Sequence, residues 1–366
     1  MEIVIEKPAV DAVVRQFQLP GECVSAVPFG NGHINDTYRV VCLEGGREHR
    51  AILQRINTQI FRNPDALMSN IERVTSHLAA QVAHLPDADR RVTRLIPTKE
   101  DGAGWLRDAE GGCWRAYRFI DGATSIDNVT STHQAFQAAR AFGQFQSHLA
   151  TLPEPRLFDT IPDFHNTPKR FAALEAAIRA DVAHRAQSVQ AEIDFALARK
   201  PIASVLLDAG LPERVTHNDT KLNNALLDDN TGEGICIVDL DTVMPGLALY
   251  DFGDMIRTTT NPASEDERDL SQVAMLFPMF EALVRGYLET AGGFLTQEET
   301  AQLAFSGQLI TYEIAIRFLT DHLNGDTYFK IHRPNHNLDR TRSQFRLLEL
   351  LEQNEEAMVR FVESVR

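Results

Sequence analysis

The chain has 366 residues, long for one domain and suited to two lobes sharing a cleft. Hydrophobic residues make up 43%, ordinary for a soluble globular protein, and 36 basic against 51 acidic residues give a net charge of −15. That balance argues against a nucleic-acid partner, which wants clustered positive charge, but not against a phosphorylated ligand whose counter-charge a metal ion supplies.

Residues Val10–Phe17 have helical apolar spacing and stop before Pro20-Gly21. Val24–Val27, Thr37–Leu43 and His49–Arg55 then read as strands separated by glycine-containing turns. The turn Phe29–Thr37 carries Gly30-Asn31-Gly32-His33-Ile34-Asn35. Glycines there let backbone N–H groups approach an anion closely, or simply close a hairpin. A helix over Ser69–His84 carries Glu72. Strand-like runs follow at Leu95–Pro97, Gly104–Leu106 and Cys113–Ile120, the last ending in Asp121-Gly122. The four cysteines, Cys23, Cys42, Cys113 and Cys236, show no C-x-x-C spacing and read as isolated reduced thiols. No basic-then-apolar N-terminal run reads as a signal peptide, and no apolar segment is long enough to span a bilayer. A cytoplasmic protein without a membrane partner is expected.

The second half is mostly helical by pattern. Ser131-Thr132 caps a helix running to about Leu152, with an aromatic stripe of core type. Pro153–Pro168 is a loop containing His165, read as structural or as the border of a pocket. Lys169–Lys200 is Ala-rich in two helical pieces, and Pro201–Leu211 adds a short helix with its stop at Gly210. Beyond residue 254, helices are expected at Ser271–Ala291, Thr296–Thr320 and Ser343–Val365. Arg317, Asp321, His322 and Tyr328 cluster near a turn at Gly325, as a buried ion pair and surface turn or as a pocket for a polyhydroxylated molecule.

Between these helices lies the densest motif, Val215–Asp254. It opens on His217-Asn218-Asp219, with Lys221 two positions and Asn224 five positions after the aspartate. An aspartate so placed serves the hydroxyl that attacks a γ-phosphate, and an amide oxygen nearby serves Mg²⁺. A lysine close by neutralises charge on the transferring group. The apolar run Ile235–Val238 then delivers Asp239-Leu240-Asp241, where a main Mg²⁺ ligand belongs. Asp251-Phe252-Gly253 spells the metal motif of protein kinases, but no apolar strand delivers it. Asp239 is therefore the metal candidate, and Asp251 and Asp254 are expected to brace the loop from the start of a helix.

The set H-N-D-x-K-x-N-N, I-V-D-L-D-T-V-M-P-G and Y-D-F-G-D resembles the aminoglycoside phosphotransferase and choline kinase superfamily, and within it the bacterial N-acetylhexosamine 1-kinases. Ile52-Leu53-Gln54, Arg170-Phe171, Phe305-Ser306-Gly307 and Arg317-Phe318-Leu319 extend the likeness over almost the whole chain. The resemblance implies an α+β, protein-kinase-like fold, with a small β-rich lobe over residues 1–121 and a larger helical lobe over 122–366. It implies Mg²⁺-assisted transfer from ATP to the 1-hydroxyl of an N-acetylhexosamine. The rivals are choline, homoserine or an aminoglycoside as acceptor, and a catalytically dead nucleotide-binding module. Asp219 would be the base and touch the sugar, Lys221 would assist, and Asn224 and Asp239 would hold the metal. Gly30, Gly32, His33, Asn35 and Gln54 would face the phosphates, and the backbone of Arg118, Phe119 and Ile120 the adenine. Arg317 and Tyr328 would bind the sugar. Gln54 stands where a strand lysine is usual, so Glu72 is either a partner without its lysine or a solvated charge. The sugar and ATP are the expected partners of a protein whose oligomeric state is open, with a monomer favoured.

Overall fold

The computed structural model describes residues 7–30, 34–126 and 129–365. Asn31, Gly32 and His33 fall outside them. The chain forms two compact units: Met1–Ala123 with Glu154–Ile161 and Val238–Asp241, and the remainder.

The first unit contains α1 (Lys7–Val14), β1 (Glu22–Pro28), β2 (Asp36–Glu44), β3 (Arg47–Ile56), α2 (Pro64–Val82), β4 (Trp105–Arg107) and β5 (Cys113–Arg118). The strands make one sheet in the order β1-β2-β3-β5-β4, antiparallel at every pairing. Period-two alternation decides its faces. Val40, Cys42, Ala51, Leu53, Trp114 and Ala116 point to a core shared with Val10, Val13 and Phe17 at the α1 end of the chain. The intervening residues, Gln54 and Arg115 among them, form the other face. Leu95 joins this sheet only by an isolated bridge to Tyr117, so the expected strand at Leu95–Pro97 is a single contact. Asn63 caps α2 by accepting the Ala66 N–H, and Pro64 occupies its first turn, where a missing N–H does no harm.

One expectation about the cysteines is corrected here. Cys23 and Cys42 are cross-strand partners on β1 and β2, their Cα atoms 3.8 Å apart, and their sulfurs are bonded. Spacing in sequence does not reveal a pair that strand register brings together. Cys113 and Cys236 are buried thiols outside this disulfide.

The second unit holds α3 (Thr132–Leu149), α4 (Thr167–Ala180), α5 (Gln190–Ala198) and α6 (Val205–Asp208). After β7 (Arg214–Thr216), β8 (Ala225–Asp228), β9 (Gly234–Ile237) and β10 (Met244–Gly246) come α7 (Ala248–Thr259), α8 (Phe277–Ala291), α9 (Gln297–Ala301), α10 (Leu303–Leu323) and α11 (His336–Val365). β10 pairs with β7, and β8 with β9 and the short β6 (Ala123–Ser125). Ser131 caps α3 as expected, accepting the Gln134 N–H. Phe171, Leu174, Tyr312, Ile316, Phe345 and Leu348 knit α4, α10 and α11 into one core.

Several helix starts differ from the pattern, α1 at Lys7 rather than Val10 and α2 at Pro64 rather than Ser69 among them. α8 begins at Phe277 rather than Ser271, because Pro278 favours a first turn there. α11 begins at His336 rather than Ser343. Its opening turns are buried through polar groups, such as Asn337 on Asp321 and Asp326, so they lack an apolar stripe.

Candidate active site

In the second unit, the segment from His217 to Asn224 leaves β7 and is held through both its backbone and its side chains. Asp251, on the first turn of α7, accepts the N–H of His217 at 2.8 Å and of Asn218 at 2.7 Å. Thr220 Oγ1 donates to the Asp251 carbonyl at 2.5 Å. Thr242 closes the other side, donating to His217 O at 2.7 Å and accepting Asn218 Nδ2 at 2.9 Å. Asn218 stands at φ +63°, a conformation that asparagine tolerates better than most residues. Asp251 is itself held by Gln146 Nε2 at 2.5 Å. Burial pushes its carboxyl up, and the bonds from the loop only partly offset that. Of the two expected braces, Asp251 takes this part, whereas Asp254 pairs with the buried Arg257 at 2.8 Å.

His217 is fully buried between the rings of Phe142 and Phe145, and its Nδ1 accepts the Asp219 N–H at 3.3 Å. That is a scaffold's environment. The Asp219 side chain is part-exposed, with Lys221 Nζ 3.4 Å from Oδ1. Burial alone would raise its carboxyl; Lys221, His217 and Arg257 more than offset that and hold it below the ordinary carboxylate value. Asp219 is thus ionised at neutral pH and able to accept or orient a proton. The ammonium of Lys221 is raised, chiefly by Asp219.

Asn224 donates Nδ2 to the Asp219 carbonyl at 2.9 Å, which turns its Oδ1 away as an acceptor. In the first unit, Asp239 is exposed, on left-handed backbone at φ +60°. Both offer the hard oxygens Mg²⁺ prefers. No group of three or more His, Cys, Asp or Glu suited to a metal occurs among the described residues.

The first unit also shows what surrounds Gln54. Arg115, its register partner on β5, donates Nε and Nη2 to Gln54 Oε1 at 3.0 and 2.9 Å. Nη1 meets Asp241 Oδ1 at 2.5 Å, as an ion pair rather than a directed hydrogen bond. Asn35 donates to Asp241 Oδ2 at 2.6 Å and accepts the Asn57 N–H at 2.9 Å, so its side chain is occupied within the unit. Gly30 sits at φ +80°, which requires glycine, and Phe29 beside it touches the Phe119 ring. The N–H groups of Arg118 and Phe119 go to Arg94 O and Arg50 O. Glu72 is exposed and comes beside Gly104. A groove of about 690 Å³ on this unit, lined by Arg15, Lys99 and Trp105 among others, includes none of the candidate residues.

Back in the second unit, Arg317 and Tyr328 are brought to one ring. The Arg317 guanidinium lies 5.7 Å from the Phe329 centroid and 5.4 Å from that of Phe164, and Tyr328 stands edge-on to Phe329 at 4.8 Å. Tyr328 is 61% exposed. Asp321 shapes this turn, its carboxylate accepting the N–H groups of Thr327, Tyr328 and Phe329. Asp321 is therefore occupied within the turn, and His322 accepts from Arg185. Burial, and then Arg317 nearby, lower the Arg170 guanidinium from its ordinary value.

Two groups escaped the sequence reading, Arg115 and the Arg257–Glu265 pair at 2.7 Å; of His165, read as structural or as a pocket border, only the partners were missed. His165 lies against the loop that starts at His217, its Nε2 3.1 Å from Asn218 O and Nδ1 2.9 Å from Glu313 Oε1. Both partners only accept, so the ring holds both contacts as a cation. Burial alone lowers the imidazolium, but Glu313 outweighs it and the net shift is upward.

The model of a phosphotransferase enzyme family matches residues 25–287. Among solved structures, a microcompartment-associated aminopropanol kinase is 17% identical, covering 96% of this chain and 98% of its own, with a TM-score of 0.59. A choline/ethanolamine kinase family protein from Mesorhizobium loti is 16% identical, covering 97% and 99%, with a TM-score of 0.55. A spectinomycin phosphotransferase in complex with ADP and spectinomycin is 12% identical, covering 100% and 99%, with a TM-score of 0.54. At these identities the likeness is one of fold: an N-terminal antiparallel sheet followed by a mostly helical region, as in protein kinases.

Proposed function

Because the chain belongs to this phosphotransferase enzyme family, we propose that it transfers the γ-phosphoryl of ATP to the anomeric hydroxyl of an N-acetylhexosamine, giving the sugar 1-phosphate. The observation that carries the acceptor class is the pairing of Arg317 and Tyr328 on Phe329. An aromatic platform with a forked donor beside it suits a neutral, polyhydroxylated ring. A choline or aminoglycoside cation would want anionic or aromatic groups without competing charge. Here Arg317 and Arg170 are close enough for each other's charge to matter, which disfavours a cationic acceptor.

The residues divide the work by their chemistry. Asp219, ionised, takes or orients the proton of the sugar's 1-hydroxyl, which is more acidic than an ordinary alcohol. Lys221 neutralises charge on the transferring group. Asn224 Oδ1 and Asp239 would hold Mg²⁺, which when bound supplies charge neutralisation on the phosphates. The Gly30 turn and Gln54 face the phosphates, and Ile120 the adenine.

An ADP-release assay over a panel of hexosamines, N-acetylhexosamines, choline, homoserine and aminoglycosides tests this reading. Turnover is expected with N-acetylhexosamines, and the product should resist further reaction at the reducing end. Turnover confined to an amino alcohol would replace the sugar reading. Binding of ATP without turnover of any acceptor would favour a nucleotide-binding module.

A further inference from the structure

Elsewhere a lysine on the third strand pairs with nucleotide phosphates; here the position holds an uncharged amide. The structure sets a cation beside that amide from the next strand. One guanidinium, 1% exposed, joins four pieces of the first unit. It donates twice to Gln54 on β3 from its own place on β5. It pairs with Asp241, two residues after Asp239, and Asp241 in turn holds Asn35 at the end of the Gly30 turn.

Two consequences follow from the chemistry of the groups. A guanidinium has donors only, so Gln54 must give it the carbonyl oxygen. The Gln54 amide nitrogen is then turned to the opposite side. There it makes one long bond, 3.2 Å to Thr37 Oγ1, and keeps a second N–H on a half-buried side chain. Second, Asp241 is almost fully buried and cannot leave Arg115 without stranding a charge, so the segment carrying Asp239 is pinned to β5. The charge of Asp239 is itself felt at Arg115.

We propose that Arg115 is the positioning residue of the nucleotide site, fixing the Gln54 amide with its N–H toward the phosphates and holding Asp239 in place through Asp241. This rests on the reading of Gln54 and Asp239 as phosphate- and metal-facing residues. Arg115 lies too deep to touch a ligand and acts only through these two. The lysine's task is thereby divided: a buried cation on β5 orients, and a neutral amide on β3 donates.

Calorimetric titration of Mg·ATP into the full chain tests this without any acceptor. Gln54→Glu keeps oxygens facing Arg115 but removes the outward donor. It should weaken ATP binding about tenfold or more, the worth of a hydrogen bond to a charged group, with no fall in the thermal midpoint measured without nucleotide. Arg115→Lys keeps a cation for Asp241 but loses the fork, and should weaken ATP binding several-fold while remaining folded. Unchanged affinity in Gln54→Glu would overturn the proposal, as would an Arg115→Lys variant that loses thermal stability but binds ATP as before. Wild-type protein that binds no ATP would overturn the nucleotide reading and this proposal together, whereas turnover of a non-sugar acceptor would leave it standing.

Discussion

The backbone N–H of Asn218 lies 2.7 Å from Oδ1 of Asp251, which fixes a left-handed residue immediately before the candidate base. The other oxygen of Asp251 takes the N–H of His217, so one carboxylate sets two consecutive peptide planes.

Replacing it exposes what the brace is worth. Asp251→Ala leaves two buried backbone N–H groups and the Gln146 amide without their acceptor, at about 1–3 kcal/mol each. The expected result is a clear loss of stability in urea and a kcat reduced at least about tenfold, because a small misplacement of Asp219 suffices. Affinity for Mg·ATP should change little. An Asp251→Ala variant with wild-type kcat would show that the loop holds its shape without α7.

Asp219 and Asp239 should separate by which constant they move. Asp219→Asn removes the proton acceptor and is expected to lower kcat by about 10²–10⁴ while ATP still binds. Asp239→Ala is expected to abolish metal-dependent ATP binding in calorimetry. The Asp219 carboxyl lies below the ordinary value of 3.8, so a fall in rate at mildly acid pH belongs to another group. Near wild-type turnover by Asp219→Asn would remove it from the role of base.

His165 predicts a dependence on pH in the other direction. Its pKa in the folded protein lies above the ordinary 6.5, so its pairing with Glu313 and Asn218 O contributes fully below that value. The contribution is lost as pH rises through the folded pKa. Glu313 is lowered from 4.5 despite its burial, chiefly by His165, so its share fades only in acid. The stability difference between wild type and His165→Gln, followed by thermal melts from pH 5 to 9, should be largest at the acid end and shrink above neutrality. A difference independent of pH would mean that the ring is neutral in the fold.

Much of this was legible in the chain because the signals are local. Alternation marked β2 and β3, and the missing apolar strand before Asp-Phe-Gly at 251–253 pointed to Asp251 as a brace, which its bonds to the His217 and Asn218 N–H groups bear out. The rest depends on partners far apart in sequence. His165 and Glu313 are 148 positions apart, and nothing near His165 announces a carboxylate. Arg115 stood in view inside an apolar strand, and a charge there is itself a signal. Its meaning came only with the register that sets it beside Gln54 and with the burial of Asp241. Cys23 and Cys42 are the same case, 19 residues apart and joined by strand pairing. The opening of α11 was hidden for another reason: polar residues bury it, so apolar periodicity was absent where helix was present.

The packing beneath the brace gives a last test. α7, which carries Asp251, meets α10 where Gly307 faces Ile256. A Cβ on Gly307 would sit 2.7 Å from Ile256 Cγ2 and 3.0 Å from its Cβ. Alanine is the better helix former by about 1 kcal/mol, so propensity alone favours Gly307→Ala. Packing should win, because Ile256 is fully buried and has no room to yield, and such overfilling costs about 1–3 kcal/mol. Gly307→Ala should therefore lower the urea midpoint and, by shifting α7, depress kcat. Gly293→Ala, where a Cβ meets nothing within 4 Å, should stay within about 0.5 kcal/mol of wild type. A Gly307→Ala variant more stable than wild type would mean that α7 and α10 can part without loss, and that the loop Asp251 braces does not depend on their close approach.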